Sequence, residues 1–480
     1  MEPAFASLGQ LSAQLAHGAM SACELTQYFL QRIERANAGL HAYVTVDAEG
    51  AMQLARASDA RRAAGYALGP FDGIPIAIKD LCDIAGQVTT AGSEAWRGRV
   101  RDETATVVQR LLQAGMVVLG KLHMVEFAFG GWGTNPVMGT PVNPWGLPEK
   151  RAPGGSSSGS GVAVAAGLAA AALGSDTGGS VRIPAAFNGV SGLKTTVGLI
   201  SRHGVTPLSE TLDSIGFLAR HIEDAWALSR LSAGYDARDP ATWHAPVMSA
   251  VEYVPKTVPQ TVPQTAKPLA GVRLALINPD QYPVEPAPAV LQALAEARRV
   301  FASLGARCEV QRLPSGFYDM ALANGRIIAA EAYSYHEPYI ADESLPFGPA
   351  VRARILSGRD ISAAAYIQLR QQHAAACQTW RDWIAPRADA LLMPSLPLVA
   401  CRHDEVDEAS LAVASYTRAA NFMNAAAASL PAGFSSEGLP VGAQLMGAPY
   451  SEARLTIIGA AFQQVTDWHL RQPDLSHVGL

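Results

Sequence analysis

Cysteine is scarce in this sequence, and the five present, Cys23, Cys82, Cys308, Cys377 and Cys401, stand far apart without a C-x-x-C pair. That spacing fits neither a disulfide framework nor a zinc site, and it suits a reducing cytosol. Basic excess is also missing: a formal net charge of −5 at pH 7 leaves no broad electrostatic footprint for nucleic acid or an anionic membrane. No charge-free run of about 20 strongly apolar residues occurs. Residues 154–175 come nearest, but glycine and serine dominate their start. The first twenty residues have neither a basic segment nor an apolar core, so a cytoplasmic protein with no membrane or nucleic-acid partner is expected. Charge is sparse, at 16% of residues, while 49% are hydrophobic; this supplies a large core and excludes disorder.

What the chain does have is a β-α-β rhythm. Leu8, Leu11 and Leu15, then Leu25, Phe29 and Ile33, recur at helical spacing, and residues 1–66 are expected to form an N-terminal helical layer. Ile74–Asp80 alternates as a strand with Lys79 near its end, Thr106–Leu112 reads as a helix, and Met116–Leu119 as a buried strand. Later come strands over Gly271–Ile277, 307–313, Ala390–Met393 and Val441–Met446, and helices over Ala287–Leu304, Phe422–Leu430 and Ser451–Trp468. Leu208–Arg220 reads as a loop. The pattern implies an α/β fold: one large mixed, largely parallel twisted sheet covered by helices on both faces. A single domain over 1–480 is expected. Its parts would be a catalytic core at 67–240, a proline-rich surface spacer at 254–268, a helical insert at 318–384 and a C-terminal part of the core at 385–480.

Residues 153–194 draw the chain together. Two glycine loops, one bearing Ser156, Ser157, Ser158 and Ser160 and the other Ser175 and Ser180, flank the apolar run Val162–Leu173, which reads as one buried helix ending at Gly174. Glycines that bare their N–H groups beside serines can hold an oxyanion. A Walker A loop would need Lys where Ser160 stands, and a dinucleotide fingerprint would need Gly at Val164. Gly155–Gly159 matches the G-x-S-x-G elbow with Ser157 as nucleophile, but Arg151-Ala-Pro-Gly rather than a strand precedes it. With no nucleotide loop and no metal-ligand cluster, no cofactor and no metal are expected.

Gly155-Ser156-Ser157, Gly174-Ser-Asp-Thr-Gly-Gly-Ser180 continuing to Lys194, and Gly73-Ile-Pro-Ile-Ala-Ile-Lys79-Asp80 together resemble the amidase signature family. Glu126–Gly130 and Leu439–Gly447 extend the likeness over about residues 7–465. The resemblance implies Ser180 as nucleophile, Ser156 after a cis peptide bond as bridging serine, and Lys79 as base. Thr177, Gly178, Gly179 and Ser180 would supply the oxyanion hole, with Ser157, Asp176 and Arg182 in support. A serine hydroxyl needs such a base to attack an amide, and a lysine can serve if burial keeps it neutral. Ser158 replaces a glycine common in the family's first loop, Asn188 a common Cys and Phe217 a common Pro.

Trp132, Thr134 and Met138, with Tyr333 and Tyr335, are candidate pocket walls. The expected activity is hydrolysis of small neutral or aromatic amides, with anilides, esters or carbamates as further substrates, by a chain acting without a partner protein; a homodimer is left open. The alternative is the glutaminase component of a tRNA-dependent amidotransferase, which Phe347–Ile355 resembles; His123, the 320–340 insert and the Thr-Val-Pro-Gln spacer depart from it. A third reading is an inactive relative in a binding role, against which stands retention of Lys79, Ser156 and Ser180.

Overall fold

Two serines set where the N-terminal helices begin. Ser7 and Ser21 cap α1 (Leu8–Ala16) and α2 (Ala22–Leu40) in reciprocal boxes with Gln10 and Glu24. Their apolar faces, including Leu11, Leu15, Leu25, Phe29 and Ile33, are buried. The computed structural model describes residues 2–246, 267–317 and 319–480. The proline-rich spacer therefore lies, up to residue 266, outside the described residues, as does the insert's residue 318.

Eleven described strands form one sheet: β1 (Tyr43–Val46), β2 (Pro75–Lys79), β3 (Val117–Leu122), β4 (Ala171–Asp176), β5 (Ser191–Lys194), β6 (Ser214–Ala219), β7 (Arg273–Ile277), β8 (Arg307–Gln311), β9 (Ala390–Pro394), β10 (Ala427–Phe434) and β11 (Pro440–Met446). Their order is β1-β3-β2-β4-β6-β5-β10-β11-β9-β7-β8. The α/β class and the mixed sheet are as expected, but parallel pairing is confined to two wings, β3-β2-β4 and β9-β7-β8. From β4 to β9 every neighbouring pair is antiparallel, which corrects the expectation of a largely parallel sheet. Strands β5, β6 and β10, which the sequence reading does not place as strands, produce that difference with β11 by bridging the wings through antiparallel pairs. β2, β3, β4, β6 and β11 are buried along their whole length, as strands covered on both sides must be.

After α3 (Ala48–Ala63) and α4 (Thr106–Gln113), two short helices, α5 (Ser158–Ala165) and α6 (Arg182–Asn188), pack against each other and the sheet. Helix α7 (Ile222–Ser232) lies on β5 and β6, and α8 (Pro288–Ser303) on β10 and β11. The segment after 318 is helical: α9 (Asp319–Ile340), α10 (Pro349–Leu356) and α11 (Ala363–Arg387). Helices α12 (Arg418–Phe422) and α13 (Glu452–Val465) complete the set.

Two further expectations change. The run Val162–Leu173 is not one helix: α5 stops at Ala165, Gly167 adopts φ +64°, and Ala171 enters β4, so Gly174 lies inside a strand. A Cβ at Gly167 would meet Ala4 at 2.8 Å, so the close N-terminal segment and the left-handed turn both require glycine there. Phe422–Leu430, expected as helix, splits into the end of α12 and the start of β10, whose Ala427–Ser429 pair with β5 and β11.

Candidate active site

Strands β2 and β4 run side by side and parallel, pairing Ala77 with Ala172 and Ile78 with Leu173. Their carboxy ends therefore open at one edge of the sheet, where α/β proteins place their ligands. Lys79 is the last residue of β2, and Ser175 the penultimate one of β4. Lys79 Nζ donates to Ser156 Oγ at 2.7 Å and to Ser175 Oγ at 2.9 Å. Lys79 and Ser156 are 0% exposed, and among the described residues Lys79 forms no ion pair. Burial dominates its titration and brings its pKa down from 10.5 to about 7, against the weaker opposing influence of Cys82, Asp176 and Asp213.

The Gly155–Ser156 peptide bond is cis, and Ser156 O accepts the Val125 N–H at 3.1 Å. Next to it, the Ser157 N–H donates to Ser180 O at 3.2 Å, which ties the first glycine loop to the second. Ser157 Oγ donates to Ser175 O at 3.3 Å and is fully buried, so this hydroxyl is committed to bracing the two loops. No strand precedes it, as the elbow reading would require. Ser180, by contrast, sits on the wall of a cavity of about 500 Å³.

Beyond Ser175 the strand's alternation turns Asp176 to the other side. Asp176 and Arg182 form a wholly enclosed pair, with Nη2 to Oδ1 at 2.8 Å and Nε to Oδ2 at 3.0 Å. Burial alone would raise the Asp176 pKa, but the charge and hydrogen bonds of Arg182 outweigh it and hold the carboxyl well below the usual range. Asp176 also accepts the N–H groups of Gly179 at 2.8 Å and Val181 at 3.1 Å, and Asn421 Nδ2 at 2.9 Å. Arg182 donates onward to Thr417 O, Gln444 Oε1 and Asn421 Oδ1.

Of the four expected oxyanion donors, then, Gly179 has spent its N–H on Asp176, while among the described residues those of Thr177, Gly178 and Ser180 have no protein acceptor. Thr177 is held by its hydroxyl on Asp213 Oδ1, and Gly178 by its carbonyl, which accepts from Thr417 Oγ1 at 2.7 Å. Gly179 has φ +131°, and a Cβ there would lie 2.3 Å from Thr417 Oγ1, so no larger residue fits.

The candidate walls divide. Trp132 lines the Ser180 cavity, as do Gly178, Arg326, Arg354, Glu408 and Arg418. Thr134 does not: it lines a neighbouring cavity of about 280 Å³ that also touches Arg354 and Glu408, and its hydroxyl donates to Glu408. Met138 lies outside both, its N–H on Asn135 Oδ1. Tyr335 borders a third cavity together with Ser175 and Thr177, with its hydroxyl on Glu210 at 3.2 Å, whereas Tyr333 packs on the core. Among the described residues no group of three or more His, Cys, Asp and Glu stands together to hold a metal ion. Nor, among them, is any helix long and apolar enough to cross a membrane.

Sequence reasoning does not single out Ser175 as a partner of Lys79, nor Asp213, Thr417, Arg418, Asn421 and Gln444. Ser175 carries a signal, since it alternates with Asp176 on a strand that ends beside Lys79. The segment 417–421 carries none, because it reaches the loop from more than 230 residues away.

The sheet edge gathers a buried lysine, serine hydroxyls and free loop N–H groups beside the Ser180 cavity, and comparison with known families places the chain among enzymes that act on C–N bonds. The chain belongs to the amidase family, whose model matches residues 24–456. It is 38% identical over 497 residues to the A component of the glutamyl-tRNA(Gln) amidotransferase of Ralstonia pickettii, covering 96% of this chain and 98% of that one. Among solved structures it is similar to the native peptide amidase of Stenotrophomonas maltophilia, at 31% identity and TM-score 0.82, covering 97% and 98% of the two chains. It also resembles an inhibitor-bound protein complex that bears on the origins of an s-triazine catabolic enzyme, at 29% identity and TM-score 0.85, covering 95% and 98%.

Proposed function

We propose that this chain hydrolyses the C–N bond of a small-molecule amide through an acyl-enzyme on Ser180. The observation that carries this reading is Lys79, buried with no counter-ion among the described residues and hydrogen-bonded to Ser156 and Ser175. Above about pH 7 its amine is neutral and can accept a proton. In the proposed cycle Ser180 Oγ bonds to the amide carbon as its proton passes through Ser156 to Lys79. The carbonyl oxygen, now anionic, takes hydrogen bonds from the free N–H groups of Thr177, Gly178 and Ser180. Lys79 returns the proton through Ser156 to the departing nitrogen as the C–N bond breaks. Water then attacks the ester with the same groups as base, releasing the acid and restoring Ser180. Asp176 and Arg182 hold the loop in place. Ammonia or amine release by the purified chain from a panel of aliphatic amides, aryl amides, anilides, carbamates and glutamine tests this reading, with Ser180→Ala as the inactive control.

A second reading is favoured by the curated relatives, which support it better than they support a hydrolase acting alone. Eight of them are A components of glutamyl-tRNA(Gln) amidotransferases, 36–38% identical. In it the same chemistry releases ammonia from glutamine for use by a partner protein on tRNA. Activity confined to glutamine, and only with tRNA and a partner protein present, decides for it.

A further inference from the structure

The Ser180 cavity is bordered by three arginines, Arg326, Arg354 and Arg418, and one acid, Glu408. The acid is spent: Arg354 Nη2 donates to Glu408 Oε2 at 2.6 Å, and the Thr134 hydroxyl donates to its other oxygen. Arg354 is likewise spent, with Nη1 on Phe129 O at 2.7 Å. Among the described residues Arg418 has one protein acceptor, Ala321 O at 3.2 Å, and neither Arg418 nor Arg326 lies in an ion pair. The two differ in placement, since Arg326 is exposed and Arg418 half-buried.

Arg418 is also built into the reactive loop. It follows Thr417, which supports Gly178 through its hydroxyl and Arg182 through its carbonyl. The Arg418 Cγ lies 3.4 Å from where a Cβ on Gly178 would stand, and its Nη1 lies 2.9 Å from the same point on Gly325. Glycine at 325 thus leaves room for the guanidinium to lie along α9 beside the loop. Burial, and then the like charge of Arg354, lower its pKa to about 10, which leaves it cationic at neutral pH. A half-buried cation without a counter-ion loses hydration and regains it only from an anion brought by a ligand.

We propose that the amide cleaved here carries a carboxylate that Arg418 binds beside the oxyanion loop, with Arg326 drawing the anion in from the cavity mouth. Because Glu408 is already engaged, the cavity has no free carboxylate for an ammonium among the described residues, and the fitting substrate class is the monoamide of a dicarboxylic acid rather than an α-amino acid amide. This rests on the amide-hydrolase reading of the same site and replaces the expectation of a neutral substrate.

The test compares kcat/KM for matched amides, succinamate against butyramide and glutaramate against both valeramide and glutamine, in wild type, Arg418→Gln, Arg418→Lys and Arg326→Gln. Each monoanion is expected to exceed its neutral partner at least ~10-fold, and glutaramate to exceed glutamine. Arg418→Gln should collapse the anion-to-neutral ratio, mainly through KM, Arg418→Lys should restore part of it, and Arg326→Gln should lower it less. Equal or better turnover of the neutral amides, preference for glutamine, or an unchanged ratio in Arg418→Gln would each overturn the inference. Failure of the amide-hydrolase reading looks different: no amide is cleaved, or Ser180→Ala remains active.

Discussion

Consecutive residues of β4 belong to two opposite kinds of buried polar cluster. Ser175 faces Lys79, whose Nζ, among the described residues, hydrogen-bonds only to hydroxyls; Asp176 faces Arg182, and every charge there is matched by an opposite charge, an amide or a carbonyl. Lys79, Ser156, Asp176 and Arg182 are all fully buried. In the first, a positive charge is compensated only weakly, by two hydroxyls and the more distant Cys82, Asp176 and Asp213, so burial drives the lysine towards its neutral, proton-accepting form. In the second, compensation is complete, so the ions persist and fix the backbone around them. The molecule also buries Lys121, which stands 3.5 Å from Asp80 and donates to Cys82 O at 2.7 Å. Burial by itself therefore does not single out Lys79; burial among hydroxyls does.

Removing the proposed nucleophile should have the largest effect. Ser180→Ala is expected to lower kcat/KM by ~10⁴-fold or more with little change in unfolding midpoint, read from ammonia release and thermal melts on the same preparation. Attacking the compensated cluster should act on the fold instead: Arg182→Met strands the Asp176 carboxylate and should cost about 3–5 kcal/mol in denaturant unfolding. Ser156→Ala should slow turnover by ~10²–10⁴-fold at wild-type stability, and combining it with Lys79→Ala should add little, because the two act as one proton path.

How much of this can be read from the sequence follows the range of the interactions. Lys79, Ser156 and Ser180 belong to short motifs whose residue types already suggest their chemistry. The α/β class follows from periodicity, but β6 reads as loop, and β10 is hidden in an alanine-rich run that strand pairing alone makes extended. The break in the Val162–Leu173 run depends on Ala4 and Phe5 lying against Gly167, a contact that no local pattern encodes. Arg418, Asn421 and Thr417 complete the site from the far end of the chain, and only the fold brings them there. Of the candidate walls Trp132, Thr134 and Met138, only Trp132 lines the Ser180 cavity, and nothing in their local sequence distinguishes it from the other two.

Smaller changes sharpen the contrast between the clusters. Ser175→Ala removes one of the two acceptors of Lys79 and should reduce kcat/KM about 10-fold. It should also move the midpoint of the pH–rate curve downward, since the hydroxyl stabilises the protonated amine. Lys79→Met should also change stability little: turnover should fall as in Ser156→Ala while the unfolding free energy shifts by no more than about 1 kcal/mol, because an apolar chain of similar volume replaces a poorly compensated amine. A loss as large as that of Arg182→Met would show that Lys79, too, is a structural ion.

The central claim, that Lys79 acts as a base because burial among hydroxyls holds it neutral, is tested most directly by the pH dependence of Ser180 acylation in single-turnover reactions. The base is active when deprotonated and its pKa is lowered, so the rate should rise with pH to a half-maximum near 7 and then level off. A rate that is flat between pH 5.5 and 9, or one that still climbs above pH 9 as an ordinary lysine would dictate, would contradict it.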